Sequence, residues 1–121
     1  MRYLCLVYVD REIIGNLSPE RDRRLQLESA AYDDALKDRG HFVTADALSE
    51  PETAVTVRSR SGKVTTHDGP FAETKEHLGG FILVEARDLN EAIDIASKTP
   101  MAEMGSIEVR AIHDYRSNLS A

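Results

Sequence analysis

A single cysteine, Cys5, leaves the 121-residue chain without the means for an internal disulfide. Its place inside an apolar run reads as a small core residue rather than a nucleophile, since a reactive thiol needs exposure and a cationic neighbour. No apolar stretch approaches the roughly 20 residues of a membrane span, and the start has neither the basic region nor the cleavage site of a signal peptide, so a cytoplasmic protein off the membrane is expected. There is no His-x-His, His-x-x-x-His or Cys-x-x-Cys spacing, which argues against a zinc site. A Gly-rich phosphate loop and a nucleophile elbow are also missing, and with them the signals for nucleotide binding and serine-hydrolase chemistry. No cofactor is implied. The 15 basic residues are scattered among 21 acidic ones, net charge −6, and form no stripe that could neutralise a run of phosphates. Direct nucleic-acid binding is therefore not expected.

What is present patterns as one domain over residues 1–121, large enough to bury a core unaided. Residues 3–9 (Tyr-Leu-Cys-Leu-Val-Tyr-Val) are apolar at both alternating sets of positions, as in a central strand packed on two faces. Ser18-Pro19 is a helix start and Gly40 a helix stop, and between them Leu25, Tyr32, Ala35 and Leu36 supply an apolar stripe, with Arg21, Arg24, Glu28 and Lys37 elsewhere. Strands are expected over residues 42–48, 54–58 and 63–67, the last two joined through a hairpin turn at Ser59-Arg60-Ser61-Gly62. Asp68-Gly69-Pro70 ends the third of these and opens a loop. A strand over residues 79–86 follows, again apolar on both faces. Asp88 and Glu91 form a capping-box-like start to a second helix, whose Leu89, Ala92, Ile93 and Ala96 share one face and which Pro100 stops. A last strand surrounds Ile107, Val109 and Ala111, and residues 113–121 read as a loose tail.

Two β-α-β halves of this kind predict an α+β, ferredoxin-like fold, with both helices on one face of an antiparallel sheet. The other face is then bare and apolar, which predicts a homodimer paired sheet to sheet.

The run Asp68-Gly69-Pro70-Phe71-Ala72-Glu73-Thr74-Lys75-Glu76, followed by Leu78-Gly79-Gly80-Phe81, resembles the signature of the DGPF branch of the YCII-related family. The resemblance extends to the opening strand, Leu17-Ser18-Pro19-Glu20, Thr56-Val57-Arg58, residues 85–89 and Ile107-Glu108-Val109-Arg110, nearly the whole chain. It implies a dimeric α+β barrel. Some relatives use a His and Asp pair for acid–base chemistry, including dehalogenation-type steps on aromatic rings, with the histidine on the first helix. Here His41, His67, His77 and His113 all lie outside that helix, and Thr99-Pro100 replaces an Asp-Pro, so the pair does not carry over. The family also implies an alternative, a non-catalytic sensor or accessory domain of an extracytoplasmic-function sigma factor.

The leading expectation is a small-molecule pocket at the motif loop. Asp68, beside a glycine that lets a ligand approach the backbone, suits a general base or an anchor, or a cap on its own turn. His41 is the candidate acid–base partner across the pocket, unless it merely meets the C-terminal end of the first helix. Arg58 can clamp a carboxylate or form a cross-strand ion pair. Gly69, Pro70, Glu73, Lys75 and Glu76 are the remaining candidate ligand-binding positions. Phe71 reads as core or pocket wall, core first. His67 adjoins Asp68, but neighbours on a strand point to opposite faces.

Overall fold

A computed structural model describes residues 1–119. Its elements are β1 (Arg2–Asp10), α1 (Arg11–Gly15), α2 (Pro19–Asp38), β2 (Phe42–Ala47), β3 (Val55–Arg60), β4 (Lys63–Asp68), β5 (Glu76–Glu85), α3 (Leu89–Ser97), β6 (Gly105–Ala111) and α4 (Arg116–Leu119), with 3₁₀ turns at Pro51–Thr53 and Pro100–Glu103. Four strands form an antiparallel sheet in the order β2-β5-β1-β6, and β3 with β4 form a separate hairpin. This is the ferredoxin-like α+β arrangement, with the hairpin inserted between its halves. Of the tail expected over residues 113–121, the last two positions lie outside the described residues. α4 is exposed along its length.

Alternation on the two central strands sorts the core. Tyr3 and Cys5 of β1 stand beside Val84 and Ile82 of β5, and on them pack Leu36 of α2 and Ala92, Ile95 and Ala96 of α3. Burial leaves Cys5 without solvent contact and pushes its thiol up to about 11, so almost no thiolate exists at neutral pH. The opposite face carries Leu4, Leu6 and Tyr8 beside Leu83, Phe81 and Leu78, partly exposed and uncovered by α2 or α3.

The helix signals act as read. Ser18 Oγ accepts the Arg21 N–H at 3.1 Å, and Gly40 takes a left-handed φ of 78° after the helix end. Asp88 Oδ1 accepts the Glu91 N–H at 2.9 Å, while Glu91 Oε1 accepts that of Arg87 at 2.7 Å. Three stripe positions differ from expectation. Ala35, Leu89 and Ile93 are exposed: the stripe of α2 runs through Leu25, Tyr32 and Leu36 and leaves Ala35 at its edge, while α3 is rotated so that Ile95 rather than Ile93 faces the sheet. Tyr32 also faces inward, its hydroxyl donating to the Ile95 carbonyl at 2.7 Å and tying α2 to α3.

Between β3 and β4 the turn is only Ser61-Gly62, both at positive φ, as a two-residue hairpin requires. β5 begins at Glu76, three residues before the first expected position, so the motif loop proper is residues 69–75. None of the helices is long and apolar enough to cross a membrane among the described residues.

Candidate functional site

At the end of β1 the chain must leave the sheet, and Asp10 does two jobs there. Its Oδ1 accepts the Glu12 N–H at 2.9 Å, capping α1, and its Oδ2 lies 3.8 Å from Lys75 Nζ of the motif loop. The carboxylate is nearly withdrawn from solvent, Asp10 being 7% exposed. Burial of a charge is tolerated because a backbone donor and a cation both face it. Next to it, Arg11 extends toward the turn after β2, where it pairs with Glu52 and lies 3.8 Å from Glu50. The Glu52 carboxyl is held below its ordinary value by a hydrogen bond from its own backbone N–H and by Arg11.

The motif loop closes the third side. Gly69 sits at φ 104°, a conformation only glycine adopts freely, its N–H donating to the Ala54 carbonyl at 2.7 Å and its carbonyl accepting the Thr56 hydroxyl at 3.0 Å. These bonds pin the loop's origin to β3. Asp68, Gly69, Pro70, Ala72, Glu73, Thr74 and Lys75 thus face Asp10, Arg11, Glu52 and His77 around one cleft of about 730 Å³. His77 comes from β5, where it pairs with Val9 and is half-buried.

Two charges in this cleft are spoken for and others are not. Arg11 is engaged by Glu50 and Glu52, and Lys75 by Asp10. Among the described residues the Asp68 and Glu73 carboxylates have neither an ion pair nor a hydrogen bond, and the His77 ring has no hydrogen-bond partner. An unpaired carboxylate and an imidazole on one concave wall can accept and return a proton, or hold a donor-bearing ligand. No cluster of His, Cys, Asp or Glu among the described residues is arranged to hold a metal ion.

The expected site residues divide accordingly. Asp68, Gly69, Pro70, Glu73 and Lys75 converge on the cleft. His41 does not join them: its Nδ1 lies 2.9 Å from the Glu85 carbonyl, at the far end of β5. That ten-residue strand separates it from the cleft by about 30 Å at roughly 3.3 Å per residue. A pairing of His41 with Asp68 is therefore corrected. The reason is topological, because His41 leads into a strand whose start pairs with the finish of β5, whereas the motif loop leads into the start of β5. Arg58 and Phe71 are outside the cleft as well, the guanidinium standing 5.8 Å from the centre of the Phe71 ring on the hairpin. Phe71 is 81% exposed, contrary to the core or wall position expected of it, because the hairpin beside it covers only one side of the ring. Glu76 turns toward β6, with Ser106 Oγ 3.4 Å from both its carboxylate oxygens. His67 is exposed on β4 opposite Thr56.

Sequence reasoning missed Asp10 and gave His77 too little weight. Asp10 had a legible signal, an acid directly after an apolar strand and two residues before Glu12, the pattern of a short capped helix.

A family model, the YCII-related domain, matches residues 1–116. An uncharacterised protein of Rhizobium meliloti (strain 1021) is 35% identical over 118 residues, spanning 96% of this chain and 95% of that one. A solved structure of 5-chloro-2-hydroxyhydroquinone dehydrochlorinase from Burkholderia phenoliruptrix, in complex with 2,5-dihydroxybenzoquinone, superposes with a TM-score of 0.55 at 14% identity, over 93% of this chain and 94% of that one. The chain belongs to the YCII-related family, and its likeness to the dehydrochlorinase is one of fold.

Proposed function

We propose that this YCII-related protein binds a small organic molecule in the Asp68 cleft and carries out acid–base chemistry on it, with Asp68 and His77 as the proton-handling groups. The observation that carries the reading is the convergence of the motif loop, the buried Asp10 and His77 on one concave surface, with Asp68 and His77 left unengaged. Asp10 acts as a positioning residue, holding Lys75 and hence the loop. The dehydrochlorinase of the same fold, seen with a hydroxylated ring, supports a small cyclic compound bearing hydroxyl groups as the substrate class. Membership of the family supports a binding or enzymatic role at this level. The sigma-factor association rests on the resemblance alone, and no feature of the cleft favours it.

The protein is proposed to work as a homodimer, its uncovered face of Leu4, Leu6, Tyr8, Phe81 and Leu83 meeting the same face of a second copy. Light scattering at micromolar concentration tests this, a monomer mass being the refuting result.

For the cleft, native mass spectrometry of the protein from its own host compares wild type with Asp68→Asn. The expected result is a retained small molecule that the variant loses, a weakening of about tenfold or more for a lost charge-assisted hydrogen bond. A folded variant that keeps the same adduct overturns the assignment of Asp68.

A further inference from the structure

The β3–β4 hairpin has two faces of opposite character. Its register sets Thr56, Arg58 and Arg60 on one face with His67, Thr65 and Lys63, and Val55, Val57 and Ser59 on the other with Asp68, Thr66 and Val64. Arg58, Arg60 and Lys63 have no carboxylate partner among the described residues, and the one acid of the hairpin, Asp68, stands on the valine face. On a chain of net charge −6 this is a cationic stripe without counter-charge. Phe71 adds an exposed ring beside the Arg58 guanidinium. On the other face Val55, Val57 and Val64 are each more than half exposed.

The outer edge of β3 is open, since this strand pairs only with β4. The Gly69 N–H bond to the Ala54 carbonyl fixes the alternation of the ladder. Thr56, Arg58 and Arg60 turn their amides toward β4, whereas Val55, Val57 and Ser59 turn theirs outward. Those three amides and the carbonyls of Val55 and Val57 have no partner among the described residues, while the Ser59 carbonyl accepts from Arg60 Nη1 at 3.2 Å. A second copy is a poor strand for this edge. Pairing β3 antiparallel with itself sets Arg58 and Arg60 against the same side chains, and like charges opposed across strands are destabilising.

We propose that the open edge of β3 is the docking site for an extended segment of a partner protein in which acidic and apolar residues alternate. Added as a third strand, the segment hydrogen-bonds the free backbone groups of Val55 and Val57 and the Ser59 amide. Side chains two apart on one strand are about 6.7 Å apart. Acids at alternate positions therefore meet Arg58 and Arg60 together, and the apolar residues between them lie against Val55 and Val57. A nucleic acid answers only the cations, because it brings neither a backbone ladder for the amides nor a surface for the valines. None of Val55, Val57, Arg58 and Arg60 lines the Asp68 cleft, so the docking edge stands apart from the chemistry proposed there.

Fluorescence anisotropy of a labelled Ser-Val-Glu-Val-Glu-Val-Glu-Ser peptide, titrated with the full chain, tests the edge, and amide NMR locates the contact. The peptide is expected to saturate below millimolar protein and to move the amides of Val55, Val57 and Ser59. Arg58→Glu weakens it by about tenfold. The same variant gains affinity for the peptide with lysine in place of glutamate, which shows that its hairpin is still formed. A peptide of the same composition with its valines and glutamates in separate blocks binds at least tenfold more weakly, and so does one whose backbone amides are methylated. The idea fails if the alternating peptide leaves the anisotropy unchanged at millimolar protein, or if its NMR shifts fall outside the hairpin. Equal binding by the block peptide, the methylated peptide or an oligothymidylate also overturns it, since the hairpin would then be a general anion surface.

Discussion

The four-stranded sheet and the β3–β4 hairpin use the same strand vocabulary and come to opposite ends. Val84 on β5 has no solvent exposure, whereas Val57 on β3 and Val64 on β4 are more than half exposed, although all three occupy regularly alternating positions. What differs is the partner. β1 and β5 are covered by α2 and α3, while every residue of the hairpin except Thr56 is exposed. A two-stranded hairpin without a packed face is marginal in water, and here the Gly69 N–H bond to the Ala54 carbonyl and the Thr56 hydroxyl bond to the Gly69 carbonyl hold its base. The contrast teaches that stability resides in the sheet and helices, and that the motif is displayed on a part of the molecule that contributes little burial.

The largest effect that tests the contrast is in the core. Ile95→Ala removes a side chain that α3 sets against Tyr3 and Cys5, and is expected to destabilise by about 3 kcal/mol in a urea melt. Asp88→Ala, which removes the cap that starts α3, is expected to lose about 1 kcal/mol in the same assay. Val57→Ala on the hairpin should stay within about 0.5 kcal/mol. A hairpin loss as large as the core loss would mean that Val57 is covered in solution, as by a second copy, and would redraw the division.

How much of this was legible follows the same line. The main strands and the helix caps follow from local chemistry: alternation at residues 3–9, Ser18 before Pro19, Asp88 before Glu91. The rotation of each helix about its axis does not, because Ala92 and Ala96 are compatible with a stripe through Ile93 or through Ile95, and only packing on Tyr3 and Cys5 chooses. The site shows the same divide. Asp68, Gly69, Pro70, Glu73 and Lys75 are neighbours in sequence and remain neighbours around the cleft. Asp10 and His77 reach it through the register of β1 on β5, with Val9 opposite His77 and Asp10 opposite Glu76, and His41 is carried away by the pairing of β2 with the finish of β5. Residues that meet through long-range pairing leave no local pattern to read.

The smallest effect probes a place where the sheet-and-helix layer departs from its own rule. Asp33 is a partly buried carboxylate on the inward side of α2, and burial raises its folded pKa above the ordinary 3.8, Lys37 opposing and Asp34 reinforcing the rise. A carboxyl whose folded pKa exceeds its unfolded one favours the folded state most when protonated. Its contribution is fully present below the unfolded pKa and is lost as pH rises through the folded pKa. Asp33→Asn, always neutral, should therefore melt slightly above wild type at pH 7 and level with it below about pH 3.5, where both side chains are uncharged. The gain is small because solvent still screens the half-exposed group. A variant less stable than wild type at neutral pH would mean that the Asp33 charge has a stabilising partner in solution.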